Sequence, residues 1–378
     1  MKGVNKENIK KHALNEFLSE YKELNTDNKY RPVAVGRYGI RKRESIYSKE
    51  LAKDYSKNKL IHKDTLTVGM GSKQIDIGIL IEDETFAVSP AYHTYKIQGI
   101  RCKYLEYCLQ SKNIEMFSLY AKRGSRQGKS IDLKRWLTYK IPVYSEEDQI
   151  VIEENLNKIN VVIELRRKQL ELLDELVRAR FVEMFSDNHY ELIRLADVCT
   201  KITDGTHKTP NYLSEGITFI SAKNIVKNKL DFSDVKYISE DEYQEIQKRC
   251  QTEFNDILLS KSGSLGTPVI VKTDKKLGLF ESLAVLKYDR LKLVPEFLCE
   301  QLKNEEIQRQ FKVGVKGVAI KHLHLGVIGN VKIIVPPLEL QNQFASFVEE
   351  IDKSRSRIQK SLEASQELFD SLMQEYFG

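Results

Sequence analysis

From Ile152 onward, apolar residues fall at Leu156, Ile159, Ile163, Leu170, Leu173, Val177 and Met184, in steps built from fours and threes. That spacing is the seam of a coiled-coil helix. The pattern returns near the C-terminus at Phe344, Val348, Ile351, Ile358, Leu362, Phe369, Leu372 and Tyr376. The two stretches keep register: Gln149 and Gln341 lie 192 positions apart, as do Phe185 and Phe377. At that offset the polar interruptions of one seam meet apolar residues of the other. Ile163 corresponds to Arg355, Arg166 to Ile358, Leu173 to Ser365 and Arg180 to Leu372. The complementarity predicts that the helices pack on each other, and a two-fold relation between the repeats makes them antiparallel. The alternative is that each helix packs only on the globular segment before it.

Those segments alternate strand-like and helical runs, so the predicted class is α+β with a pseudo-two-fold internal repeat. The expected organisation is a globular domain at 1–145, a spacer helix at 146–187, a second globular domain at 188–337 and a second spacer helix at 338–378. In the first domain the spacing of Leu14, Phe17, Leu18 and Tyr21 predicts a helix over Ile9–Leu24. Strands are expected at Tyr30–Val35, Ile75–Ile81 and Phe86–Val88, and a helix around Tyr104–Tyr120. In the second, Asp204–Pro210 reads as a polar turn, and Ile217–Ile220 as a strand ending at Ser221-Ala222-Lys223-Asn224. Asp256–Ser264 is a strand running into a Gly-Ser turn, and its counterpart at the same offset is Asp64–Ser72. The repeat thus reaches into the domains, although their loops differ.

Composition adds little to this. Apolar residues make up 41% of 378 and charged residues 30%, as in ordinary globular proteins. The net charge of +6 is mildly basic. Five scattered cysteines without a C-x-x-C pair suit a reducing compartment, and no apolar run would span a bilayer, so the expected location is cytoplasmic. Residues 29–59 concentrate Lys and Arg with interleaved Tyr30, Tyr38, Tyr47 and Tyr55, a mixture that suits either a nucleic-acid surface or a solvated basic face.

Catalytic chemistry is hard to place. Lys122–Ser130 has the look of a phosphate loop, but Arg123 stands where the first glycine is required and no helix follows. His322 and His324 lack a third ligand at a recognisable spacing. No nucleophile elbow, H-E-x-x-H or adenine-methyltransferase motif is present.

Several motifs carry a family resemblance. They are Asp204-Gly205-Thr206-His207-Lys208-Thr209-Pro210, Phe219–Ile225, Gly263-Ser264, and Pro336-Pro337-Leu338-Glu339-x-Gln341 before the second helix. Together with the duplicated layout they resemble the specificity subunit of Type I restriction-modification enzymes. The resemblance implies two target recognition domains, each reading half of a split DNA site. Antiparallel helices separate them and dock two copies of an adenine methyltransferase subunit, and restriction/translocase subunits join the larger assembly. It implies no catalytic centre and no bound cofactor or metal in this chain, S-adenosylmethionine belonging to the partner. The first helix departs from the pattern: it follows Ile141-Pro142-Val143-Tyr144 without a double proline, and the first domain lacks the Asp-Gly-Thr-His turn. These departures fit a first domain of another subtype.

Helices of 35–40 residues span roughly 50–60 Å, about one to one and a half turns of duplex. The expected DNA-contacting residues are Arg37, Arg41, Arg43, Ser72, Lys73, Arg126 and Lys129 in the first domain. In the second they are Thr206, His207, Lys208, Lys223, Asn224, Lys261 and Ser264. The competing reading is a coiled-coil adaptor with two protein-binding heads.

Overall fold

The computed structural model describes residues 4, 9–36, 39–46, 54–123, 129–186, 190–226, 228–314 and 322–378. Two compact units emerge: Met1–Arg167 with Lys360–Gly378, and Lys168–Gln359. Each mixes sheets with helices, so the class is α+β.

The first unit is built on a four-stranded antiparallel sheet of β1 (Leu18–Glu20), β2 (Thr65–Met70), β3 (Ile75–Leu80) and β4 (His93–Ile97), in the order β1-β4-β2-β3. The second repeats that plan with β5 (Cys199–Asp204), β6 (Ile257–Ser260), β7 (Pro268–Ile270) and β8 (Leu283–Tyr288), ordered β5-β8-β6-β7. Strands buried on both faces need apolar residues on both. β6 supplies them: Ile257 and Leu259 join the core on the helical side, while Leu258 joins a second core. That second core lies against a three-stranded sheet in which Ile217–Ile220 runs antiparallel to Lys236–Ile238 and parallel to Leu277–Leu279.

Two helices of 40 residues, Glu146–Phe185 and Leu338–Phe377, have neither Gly nor Pro inside them. Ser145 caps the first, its Oγ accepting from Asp148 N at 3.1 Å, and Glu146, Glu147 and Asp148 complement the positive end of the helix dipole. Pro336 and Pro337 stand immediately before the second, where the missing N–H groups cost nothing.

The two glutamines 192 positions apart have a common task. Gln149 donates Nε2–H to Tyr144 O at 2.9 Å and accepts from Arg101 N at 3.2 Å. Gln341 donates to Pro336 O at 2.7 Å and Lys292 O at 2.8 Å, and accepts from Val294 N at 2.9 Å. Both are buried. Each therefore ties the start of its long helix to the backbone of its own unit. Phe185 packs on Phe297, and in the other unit Phe377 packs on Tyr104, with ring centroids 4.8 and 5.5 Å apart.

Within each unit the helices pack both on each other and on the globular part, so the two packing alternatives coexist. In the first unit Ile152, Leu156, Ile159 and Ile163 share one core with Leu372, Tyr376 and Phe377, and Asn155 Nδ2 donates to Tyr376 Oη at 3.1 Å. In the second, Phe181 meets Phe344, Arg180 lies over Phe347, and Arg355 pairs with Asp174. Rising numbers on one helix meet falling numbers on the other, so they run antiparallel there. Arg355, a polar interruption of the seam, is 15% exposed and also bonds Asp352 at 3.2 Å.

Two expectations need correction. Ile9–Leu24 is not a helix. Lys10–Ala13 pairs with Lys140–Val143, a 3-10 turn covers Leu14–Glu16, and β1 follows. Leu14, fully buried in that turn, and Leu18, buried in β1, have a helical spacing that strand pairing overrides. The second unit repeats the device with strand Ile193–Arg194, the turn Leu195–Asp197 and β5. The helix around Tyr104–Tyr120 is in fact two, Cys102–Ser111 and Asn113–Tyr120. The Asn113 side chain pairs with Ile75 N and O, both at 2.9 Å, which fixes the break.

Candidate nucleic-acid interface

In the second unit, the motif residues singled out in the sequence converge on one end of β5, β6 and β8. Asp204 ends β5, and its buried carboxylate accepts from Lys261 Nζ and from an Arg249 guanidinium N–H. Lys261, just past β6, is also buried; its ammonium lies 3.8 Å from Glu281. His207 Nε2 stands 3.3 Å from Asp204 Oδ2 and 3.3 Å from Arg249 Nη2. His322 Nε2 stands 3.3 Å from Glu281 Oε2. Burial pushes the Asp204 carboxyl upward, and its bonds to Lys261 and Arg249 outweigh that, holding it below the usual carboxylate range.

Backbone bonds knit the surrounding loops together. Thr206 N donates to Leu279 O at 2.9 Å and Glu281 N to Thr206 O at 3.0 Å. Lys261 N donates to Ser282 O, and Leu323 N to Lys261 O, both at 2.8 Å. Ala222 N donates to Ser282 Oγ at 3.0 Å. Gly205 is required by close approach: a Cβ there would lie 2.1 Å from the Leu279 carbonyl oxygen.

Among the expected contacts in this unit, His207, Lys208, Lys223 and Ser264 are exposed. Thr206 is half-buried, its hydroxyl donating to Lys208 O and accepting from Lys208 N, both at 3.1 Å. Lys223 pairs with Asp234 at 3.1 Å. Two expectations are corrected by burial. Lys261 is committed to Asp204 and Glu281. Asn224 accepts from Ser221 N and donates to Asp231 O and Asp234 O. Both hold the loops in place from beneath. Arg249, Glu281 and His322 were missed as members of the cluster, since each arrives from a distant part of the sequence. Only His322 drew attention, as a rejected metal ligand. Among the described residues no group of three His, Cys, Asp or Glu could hold a metal ion.

In the first unit, the hairpin of Val33–Gly36 and Gly39–Lys42 packs over β3, with Ile40 so close to Gly78 that a Cβ there would lie 2.6 Å from it. Arg41 is exposed on the second strand and Arg43 opens the 3-10 turn Arg43–Ser45. Ser72 and Lys73 are exposed between β2 and β3. The stretch Lys122–Ser130 is flanked by a strand pair, Ala121–Arg123 with Lys129–Ile131, which places Lys129 in a strand. Arg37 and Arg126 lie outside the described residues.

At the position matching Lys261 the first unit has Gly69, and the Tyr92 ring fills the space a side chain there would take. Tyr92 Oη donates to Val35 O at 2.9 Å. The same sheet is thus fitted with different loop supports. A cavity of about 410 Å³ in the second unit, lined by Asp174, Lys303 and Arg355 among others, shares no residue with the loop cluster. No described helix is long and apolar enough to cross a membrane.

The chain thus carries one sheet-and-helix unit twice, under differing loops, and is of α+β class. Over residues 188–366 the chain matches the family described as Type I restriction modification DNA specificity domain. It is 24% identical over 302 residues to the Type I restriction enzyme MjaIX specificity subunit of Methanocaldococcus jannaschii, covering 73% of this chain and 68% of that one. To the EcoBI specificity subunit of Escherichia coli it is 27% identical over 150 residues, 40% of this chain and 31% of that one. The fold matches the Type I restriction-modification S subunit of M. genitalium with a TM-score of 0.56, 17% identity, and coverage of 100% and 98% of the two chains. A chain from a structure describing complex assembly and conformational transition of the type I R-M system matches at 0.55, with 14% identity and coverage of 100% and 99%. Residues 188–366 thus match the Type I restriction modification DNA specificity domain, and the chain as a whole shares the fold of Type I S subunits.

Proposed function

We propose that this chain is the sequence-specific DNA-recognition subunit of a Type I restriction-modification complex and reads a bipartite site. The observation that carries this reading is one sheet-and-helix frame present twice under different loops. A common frame sets both heads in the same way, while distinct loops give distinct half-sites. Residues 1–145 and 188–337 serve as the two target recognition domains, and the helices at 146–187 and 338–378 as spacers.

Lys and Arg meet phosphates, and a few loop residues read base edges in the major groove. In the first domain Arg37, Arg41, Arg43, Ser72, Lys73, Arg126 and Lys129 are the candidates. In the second the exposed His207, Lys208, Lys223 and Ser264 act at the surface with Thr206 beside them, while Lys261 and Asn224 hold the loops. The long helices dock two adenine methyltransferase subunits, and restriction/translocase subunits complete the enzyme. Exposed apolar residues on the first helix, Val161 and Leu165 in one unit and Leu172 and Leu176 in the other, suit such docking.

The test is a methylome. This chain, expressed with its neighbouring methyltransferase in a host without adenine methylation, should place methyl groups in two short half-sites around a fixed gap. The same cells lacking the chain should not. An assembled complex that methylates nothing new would overturn the reading in favour of an adaptor.

A further inference from the structure

Five side chains of the second unit form an alternating row: His207, Asp204, Lys261, Glu281, His322. Buried Lys261 stands between two carboxylates, and each carboxylate faces one imidazole. His207 is the most exposed of the five at 58%, and His322 and Glu281 are each 24% exposed, against 3% for both Lys261 and Asp204. The supports come from different segments: the end of β5, the residue after β6, and the loop before β8.

We infer that His322 is a base-reading residue of the second half-site, with Glu281 as its positioning residue and Lys261 fixing Glu281. This rests on the reading of the second unit as a DNA-recognition domain. A neutral imidazole has one donor and one acceptor nitrogen. Glu281 Oε2 lies 3.3 Å from Nε2, a contact that favours the tautomer with its proton on Nε2 and Nδ1 as the acceptor. An acceptor presented to the major groove selects an exocyclic amino group, adenine N6 or cytosine N4. His322 therefore favours adenine or cytosine over guanine or thymine on the strand it faces, at one position of the half-site. His207 differs, because its Nε2 faces both a carboxylate and the donor Arg249. Its tautomer is not fixed in the same way.

Among the described residues the row has no counterpart in the first unit. Gly69 occupies the place of Lys261, and Tyr92 fills the space. The effect is confined to one half-site, which supplies an internal control.

The experiment is a methylome of the intact complex carrying His322→Phe, Glu281→Gln, or both. His322→Phe should equalise the bases at one position of the second half-site, with tenfold or greater loss of preference there and the first half-site unchanged. Glu281→Gln can donate an amide N–H to Nε2 and so release the tautomer; it should weaken preference at that same position. In the double variant Glu281→Gln should add nothing at that position, an epistasis that loss of stability alone would not produce. An unchanged motif in His322→Phe, or a Glu281→Gln effect spread evenly over both half-sites, overturns the inference. A wild-type complex without any bipartite motif overturns the underlying reading instead, so the two failures are distinguishable.

Discussion

At the scale of single residues, the buried Asp204–Lys261 pair sets the clearest expectations. Removing one partner of a buried ion pair leaves an uncompensated charge and typically costs about 3–5 kcal/mol. Arg249 still reaches Asp204 when Lys261 is gone, so Lys261→Met should cost about 3 kcal/mol, read as a shift of the second unit's urea transition. An unshifted transition would mean that the pair carries little. The pH dependence follows from the depressed Asp204 carboxyl. Such a group contributes its full share of stability above its unfolded value of about 4, and loses it as pH falls through the lower folded value. The stability gap between wild type and Asp204→Asn should therefore narrow below about pH 4; a gap constant from neutrality into acid contradicts this. Gly205→Ala should disrupt the same turn, since no side chain fits beside the Leu279 carbonyl. Much of this cluster was legible as motif and little as geometry. The Asp-Gly-Thr-His turn stood out as a unit. Arg249 and Glu281 are 45 and 77 positions from Asp204, and no local pattern links them. Lys261 was expected at the DNA from its charge and its place beside the Gly-Ser turn, and the partner that buries it lies 57 positions away.

At the scale of elements, the long helices were the most readable feature, since a seam sustained over 40 residues allows few other interpretations. The N-terminal strands were the least readable. Short strands that pair with residues more than a hundred positions away, as Lys10 does with Val143, owe their form to the partner. The matching 192-residue offset of the glutamines signalled a shared role, although their actual task, gripping backbone at the helix start, is visible only in three dimensions. Gln341→Leu would leave Val294 N, Lys292 O and Pro336 O short of partners in a buried place. The expected loss is on the order of 3 kcal/mol, measurable as a lowered thermal midpoint. Gln149→Leu strands one fewer group and should cost less.

At the scale of the whole molecule, the proposed function has partners engaging the helices and DNA engaging the loops. Leu172→Lys with Leu176→Lys places charge on exposed apolar positions. Each substitution should alter stability by no more than about 0.5 kcal/mol, yet the pair should abolish co-purification of the methyltransferase and site-directed methylation. Retained methylation would move docking elsewhere on the chain. DNA binding by the assembled complex should weaken steeply with salt, as counterion release from phosphates requires. A flat response between low and physiological salt would argue for contacts other than phosphate.

The glutamine joints have one more consequence. Gln149 and Gln341 hold only main-chain atoms of the segments they grip, Arg101 N and Tyr144 O for one, and Val294 N, Lys292 O and Pro336 O for the other. A clasp of that kind is blind to the identity of its neighbours' side chains. Substitutions can accumulate around it, generation after generation, while the angle at which each head leaves its stalk stays the same. The loops can therefore change by drift without the architecture having to be reinvented, which is what the proposed recognition of varied sites requires.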